Sequence, residues 1–413
     1  MPHIGWPDAG WEVRMLDRSQ RSIGQLLRTQ QSAAPDAIVE TLMSATGPLG
    51  ATDLVLYLID YEHITLMPHP DVLPHGERPE VANVDGSMAG RAFQTATVLA
   101  SQRGDAWQVW VPVMERANKL GVLAMTVPVF DEEVEYFCTE LGYAAAYLVM
   151  AGAQYTDLPH LLRRRQDMDL AAEMQWSLLP PLSLISAGTC LAGLLEPAYE
   201  VGGDSFDYAI NEELLDVAMF DAMGHGLTSA ILASLLVGAY RHSRRAGQDL
   251  PAIALSVDAV AQKFPGPTTF ATALFARLRT DTGQLSWLTC GHPQPIIVRR
   301  GNTLGPAEVQ PGVPLGLGAH GAVVGTLTEV ALEPGDGVLF YTDGVTEARD
   351  PNGEYFGEPR LRDLLEREHL AGGAPQEIIR RLVRSALDHA QVRLRDDATM
   401  VYIRWDANHS DED

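Results

Sequence analysis

Four acidic segments in the second half of the chain form short turns beside apolar runs, a placement from which chemistry can be built. They are Asp204 in Val201-Gly202-Gly203-Asp204, Asp221 in Phe220-Asp221-Ala222-Met223-Gly224-His225-Gly226, Asp343 in Tyr341-Thr342-Asp343-Gly344, and Asp396 with Asp397 in Arg395-Asp396-Asp397-Ala398-Thr399. The runs Cys190 to Leu195, Leu214 to Phe220, Val338 to Tyr341 and Met400 to Ile403 read as buried strands. Carboxylates at the ends of such strands put unpaired negative charge at the rim of a sheet, which is costly without a compensating cation. An oxygen-only ligand set favours hard divalent ions such as Mg²⁺ and Mn²⁺, whereas zinc would draw on His or Cys. Each motif alone is also compatible with a plain turn, a bulge or a helix-entry loop. Their joint occurrence on strand ends is the specific signal.

The chain that must position these residues has 413 residues, enough for two or three domains. It carries 54 acidic residues against 30 Lys+Arg, a net charge of −24. Phosphate backbones and anionic membrane surfaces would repel such a chain, so neither nucleic acid nor membrane is expected as a partner. Cys138, Cys190 and Cys290 are far apart and form no C-x-x-C pair, which fits a reducing compartment. With no signal peptide and no membrane-length apolar run, the expected location is cytoplasmic. The clearest boundary is Pro180-Pro181, which must end the polar, helix-favouring stretch from His160 to Leu179. The expected division is a first domain over 1–158, a helical linker over 159–180, a second domain over 181–406 and an acidic tail over 407–413. In the linker, Leu170, Met174 and Leu178 recur at i, i+4 and i+8, the spacing of one helical face.

Residues before 158 alternate strand and helix patterns. A strand over Asp53 to Ile59, its hairpin partner Ile64 to Met67, a short helix over Gly86 to Phe93, strands Gln108 to Met114 and Gly121 to Val129, and a long helix from Glu132 to about Gln154 make an antiparallel sheet covered by helices. This order, with Gly86-Ser87-Met88-Ala89-Gly90-Arg91-Ala92-Phe93, resembles a GAF sensor domain.

The second part resembles the metal-dependent (PPM-type) serine/threonine protein phosphatases, specifically the bacterial SpoIIE/RsbU-like branch. Besides the aspartate motifs, the matching segments are Glu196-Pro197, Phe270-Ala271-Thr272, Cys290-Gly291-His292-Pro293-Gln294-Pro295, Pro314-Leu315-Gly316, Thr346-Glu347 and Phe356-Gly357. The resemblance implies an α+β fold, a β-sandwich flanked by helices, following a GAF-like antiparallel sheet with helices. It implies that Asp221 bridges two Mn²⁺ or Mg²⁺ ions beside the Ala222 carbonyl. Asp204 joins through water, and Asp343 and Asp396, with Asp397 as the second acid of its pair, complete the set. Water activated between two such ions attacks phosphoserine or phosphothreonine with no protein nucleophile. His225 and His292 are placed either to protonate the leaving alkoxide or to hold their glycine-rich loops. The implied substrate is a phosphorylated regulatory protein, a STAS-domain anti-sigma-factor antagonist, and the expected assembly a homodimer. The alternatives are a non-catalytic metal-holding scaffold and a small-molecule di-metal phosphoesterase.

Overall fold

The computed structural model describes residues 23–70, 73, 75–186, 188–199, 202–264, 269–305, 309–318, 324–391, 394 and 396–407. Nearly all of the acidic tail expected over 407–413 lies outside the described residues. The chain divides into two compact units, Met1–Gln166 and Asp167–Asp413. No helix among the described residues is long and apolar enough to cross a membrane.

The first unit is built on an antiparallel six-stranded sheet. Its strands are β1 (Thr52–Ile59), β2 (Thr65–His69), β3 (Ala82–Asn83), β4 (Leu99–Arg103), β5 (Ala106–Glu115) and β6 (Asn118–Val127), in the order β3-β2-β1-β6-β5-β4. One face carries Leu54, Leu56, Val109, Val111, Leu123 and Met125 and is covered by the helices Ile38–Thr46 and Glu132–Gly152. The long helix comes close because Gly142 lies against the Pro112 carbonyl, where a side chain would collide. The short helix Met88–Thr95 covers the other face, started by Ser87, whose hydroxyl accepts from the Gly90 amide at 2.8 Å. Each strand and helix expected before residue 158 has a counterpart, with boundaries moved by a few residues.

The second unit stacks two antiparallel sheets. One has the order β15-β12-β11-β10-β9, with β9 (Asp204–Asn211), β10 (Leu214–Ala222), β11 (Ala271–Arg279), β12 (Gln284–Cys290) and β15 (Thr328–Ala331). The other runs β14-β13-β16-β17-β8-β7, with β7 (Ser183–Ser186), β8 (Thr189–Glu196), β13 (Ile296–Arg299), β14 (Asn302–Thr303), β16 (Asp336–Tyr341) and β17 (Ala398–Trp405). Strand alternation builds the layers. In β10, Leu215, Val217 and Met219 fill the core between the sheets, while Ala218, Phe220 and Ala222 turn to the helices Leu227–Arg245 and Leu250–Ala261. The helices Glu358–Leu370 and Pro375–Ala390 cover the opposite sheet. The result is the expected α+β sandwich flanked by helices.

The stretch expected as one helical linker is divided. Short helices span Leu158–Leu162 and Leu170–Leu178. The second begins at Asp169, whose extended backbone and side chain, accepting from the Ala172 amide at 2.7 Å, make an N-cap that stops any helix arriving from before. The basic cluster is held by the first unit: Arg163 donates to the Ile59 carbonyl and Arg165 to Glu62. Leu170 is 62% exposed and Met174 and Leu178 are half-buried, while the buried face is Ala171, Ala172 and Gln175, one position along from Leu170 and Met174.

Candidate functional site

The acids meet where the ends of the two sheets come together. Asp204 opens β9 and lies directly opposite Asp221 on β10. Strand pairing continues one residue further, the Ala222 amide donating to the Gly203 carbonyl at 3.1 Å. From the other sheet, Asp343 follows β16 as the first residue of a one-turn helix, and Asp396 and Asp397 lead into β17. Thr342 ties the sheets together. Its hydroxyl donates to Asp204 Oδ2 at 2.7 Å and accepts from the Thr399 amide at 2.9 Å.

Burial and mutual repulsion leave their mark on these carboxyls. Burial first, then Asp343, Asp396 and Asp397, push Asp221 up to about 7. Burial, then Asp221 and Asp397, raise Asp204 well above its ordinary value despite the Thr342 hydrogen bond. Asp343 is raised by burial, then by Glu347 and Asp396. Among the described residues no Lys or Arg pairs with Asp204, Asp221, Asp343 or Asp396. No three acidic, His or Cys side chains there stand together at ligating distance. The donor chemistry nevertheless fits hard divalent cations: oxygen ligands only, uncompensated charge, and carboxyls whose ionisation each neighbour opposes.

Asp397 is tied to the turn beside it. Its carboxylate accepts from the Gly202 amide at 2.7 and 2.9 Å and from the Asp204 amide at 3.2 Å. Both oxygens are engaged in fixing the turn that leads into Asp204. Burial pushes its pKa up to about 6, against the lowering effect of those amides.

The two histidines separate. His225 is exposed in the loop between Gly224 and Gly226, both with positive φ, ahead of the Leu227–Arg245 helix. His292 is buried, its Nδ1 lies 2.7 Å from the Thr272 hydroxyl, and burial lowers its pKa to about 3. A ring kept neutral at ordinary pH is a poor proton donor. Thr272 pairs with Asp221 across β10–β11, so this contact braces the strand beside the acids. Cys290, with a thiol pushed by burial up to about 12, is inert core. Sequence reading missed Thr342 and Glu347 as neighbours of the acids, and it missed Gln175 altogether.

Asp221 and Asp397 give the metal-free protein a definite pH dependence. A carboxyl raised in the folded state binds more protons there than in the unfolded chain between its two pKa values. Stability therefore falls as pH rises from about 4 through about 7. In chelator, the melting temperature is expected to be lower near pH 8 than near pH 5, and Asp221→Asn should raise it near pH 8. A wild-type melting temperature indifferent to pH over this range would contradict the burial of these charges.

Comparison with known proteins bears on the second unit. The family model described as Stage II sporulation protein E (SpoIIE) matches residues 211–406. The phosphoserine phosphatase RsbU of Bacillus subtilis is 25% identical over 241 residues, 58% of this chain and 70% of that protein. Protein IcfG of Synechocystis sp. is 25% identical over 239 residues, 51% of this chain but only 37% of its own length. A solved structure of RsbU and RsbW domains from Mycobacterium tuberculosis is 24% identical, with a TM-score of 0.49, covering 55% of this chain and 62% of that one.

Proposed function

We propose, on the premise that residues 211–406 belong to the SpoIIE family of PP2C/PPM phosphatases and are homologous to RsbU, that the chain is a sensor-regulated protein serine/threonine phosphatase. The observation that carries this is Asp221, half-buried on β10 opposite Asp204 and in electrostatic reach of Asp343 and Asp396 from the second sheet. In this reading Asp221, Asp204, the Ala222 carbonyl, Asp343 and Asp396 would hold two divalent cations, Mn²⁺ or Mg²⁺. Cations held there supply Lewis acidity to water and to the phosphoryl oxygens. The chain's own contribution is to orient the acids: Thr342 holds Asp204, Asp397 holds the turn before it, and the His292–Thr272 contact braces β11.

Exposed Met223 and Leu227, just beyond Asp221, offer a folded partner apolar surface, which supports a phosphoprotein substrate. The partner we propose is a phosphorylated STAS-domain regulator of a partner-switching circuit, and the assembly a homodimer. A cavity of about 360 Å³ in the first unit, lined by Tyr57 and Trp110 with Asp53, Glu80 and Arg103, supports the sensing role.

Phosphoserine in a STAS protein should be released in the presence of Mn²⁺ or Mg²⁺ and not in chelator. It should be released faster than phosphotyrosine or the phosphate of a free nucleotide. Faster cleavage of nucleotides than of any phosphoprotein would replace this reading with the small-molecule phosphoesterase.

A further inference from the structure

The helix Leu170–Leu178 lies against the segment that leads into Asp204, and its donors follow that segment's carbonyls. The Asp169 amide donates to the Tyr199 carbonyl at 3.3 Å, Trp176 Nε1 to the Ala198 carbonyl at 2.7 Å, and Gln175 Nε2 to the Gly202 carbonyl at 3.1 Å. Arg241 holds the helix's far end, donating at 2.6 Å to the Leu178 carbonyl while also pairing with Asp207, three residues beyond Asp204.

Gln175 stands apart within this set. It is 1% exposed, and among the described residues its Oε1 is buried without a hydrogen-bond partner. A buried amide satisfied on one side only is a net cost that an apolar residue of similar size would avoid. Its neighbours Ala171 and Ala172 make the same packing without polar atoms. What the amide provides is a donor for Gly202, whose own N–H is given to Asp397. The peptide units on either side of Gly202 are thus held from two directions, by Gln175 through the carbonyl and by Asp397 through the amide. Asp204 follows two residues later.

We infer that Gln175 is a positioning residue for the site: it holds the Gly202–Asp204 turn in the arrangement that binds divalent metal. The inference rests on the metal-dependent reading above. Loss of the amide leaves Gly202 free to turn away, so metal binding weakens while the acids themselves remain. Partners that orient metal ligands from behind are worth about 10–100-fold in affinity.

The test titrates Mn²⁺ into the full chain by calorimetry and, in parallel, measures kcat for p-nitrophenyl phosphate at saturating Mn²⁺. Gln175→Leu should weaken Mn²⁺ binding about tenfold with kcat at saturation nearly unchanged, since the cost is set by the turn and not by the ligands. Gln175→Met, which fills the same space, serves if the leucine variant does not fold. Trp176→Phe removes a tether of the same helix four residues earlier along the backbone, and should lower the melting temperature without moving Mn²⁺ affinity. Wild-type affinity in both Gln175 variants would overturn the inference alone, as would equal weakening by Trp176→Phe. A wild-type chain that shows no Mn²⁺ binding would overturn the metal-dependent reading and this inference with it.

Discussion

Asp221→Ala is expected to abolish metal-dependent phosphate-ester hydrolysis, with kcat for p-nitrophenyl phosphate in saturating Mn²⁺ falling by at least about 10³-fold. The magnitude follows from what one charge-stabilising group is worth in a preorganised site, on the order of 10²–10³-fold for a single donor. Asp221 exceeds that because it serves two neighbourhoods. It faces Asp204 across β9–β10, and its ionisation is opposed by Asp343 and Asp396 from the opposite sheet. Asp343→Ala and Asp396→Ala each remove an acid from one side only and should cost about 10²–10³-fold. The substitution should not unfold the protein, since deleting a half-buried carboxyl that its neighbours repel relieves the metal-free state. A melting temperature at or above wild type in chelator, combined with lost turnover, is the expected pair of results. Turnover within tenfold of wild type, or activity that persists in metal-free buffer, would remove Asp221 from the centre of the site.

Much of this site is legible in the amino-acid sequence, for a physical reason. Buried strands with carboxylates at their ends are rare arrangements, because each uncompensated charge opposes folding. Asp204, Asp221, Asp343 and Asp396 can therefore be picked out from residue type and local pattern. The layers are legible as well, since β10 alternates strictly between Leu215, Val217 and Met219 on one face and Ala218, Phe220 and Ala222 on the other.

What stays hidden depends on contacts distant in sequence. Nothing local distinguishes Asp397 from Asp396. Only the fold, bringing β17 beside the turn before β9, shows that Asp397 spends its oxygens on the Gly202 and Asp204 amides. Thr342 likewise reads as an ordinary turn residue until Asp204 arrives from 138 positions away. The Leu170–Leu178 helix hides its packing face for another reason. An i, i+4, i+8 count of large apolar residues picks out Leu170, Met174 and Leu178. The close packing within the second unit uses the small residues Ala171 and Ala172, with one buried amide. Apolar periodicity identifies a wide greasy face and overlooks a narrow one built for close approach.

Gly203 shows the same close approach at the centre of the site, and Gly203→Ala is the second substitution expected to have a large effect. A Cβ at Gly203 would collide with the Ala222 carbonyl oxygen and crowd the carbonyl carbon at 2.8 Å and the α-carbon at 3.0 Å. All three are backbone atoms of the paired strand and cannot rotate away, so β9 and β10 must separate beside Asp204 and Asp221. Displacement of catalytic groups by about 1 Å costs on the order of 10²-fold, and kcat/KM with Mn²⁺ should fall by at least that much. Overpacking of this kind costs about 1–3 kcal/mol, less than the roughly 5–15 kcal/mol that holds a domain folded, so the variant should remain folded with a lowered melting temperature. Gly202→Ala is the control. There the nearest atom is Asp397 Oδ2 at 2.9 Å, on a side chain and not on the paired strand, so β9 and β10 stay together and the loss, from a weakened Asp397 contact with the turn, should be smaller. Gly344→Ala, whose Cβ would meet the Asp397 backbone carbonyl, should resemble Gly203→Ala. If Gly203→Ala retained wild-type kcat/KM, or Gly202→Ala proved the more damaging of the two, the close pairing of β9 with β10 would not be what sets the distance between Asp204 and Asp221.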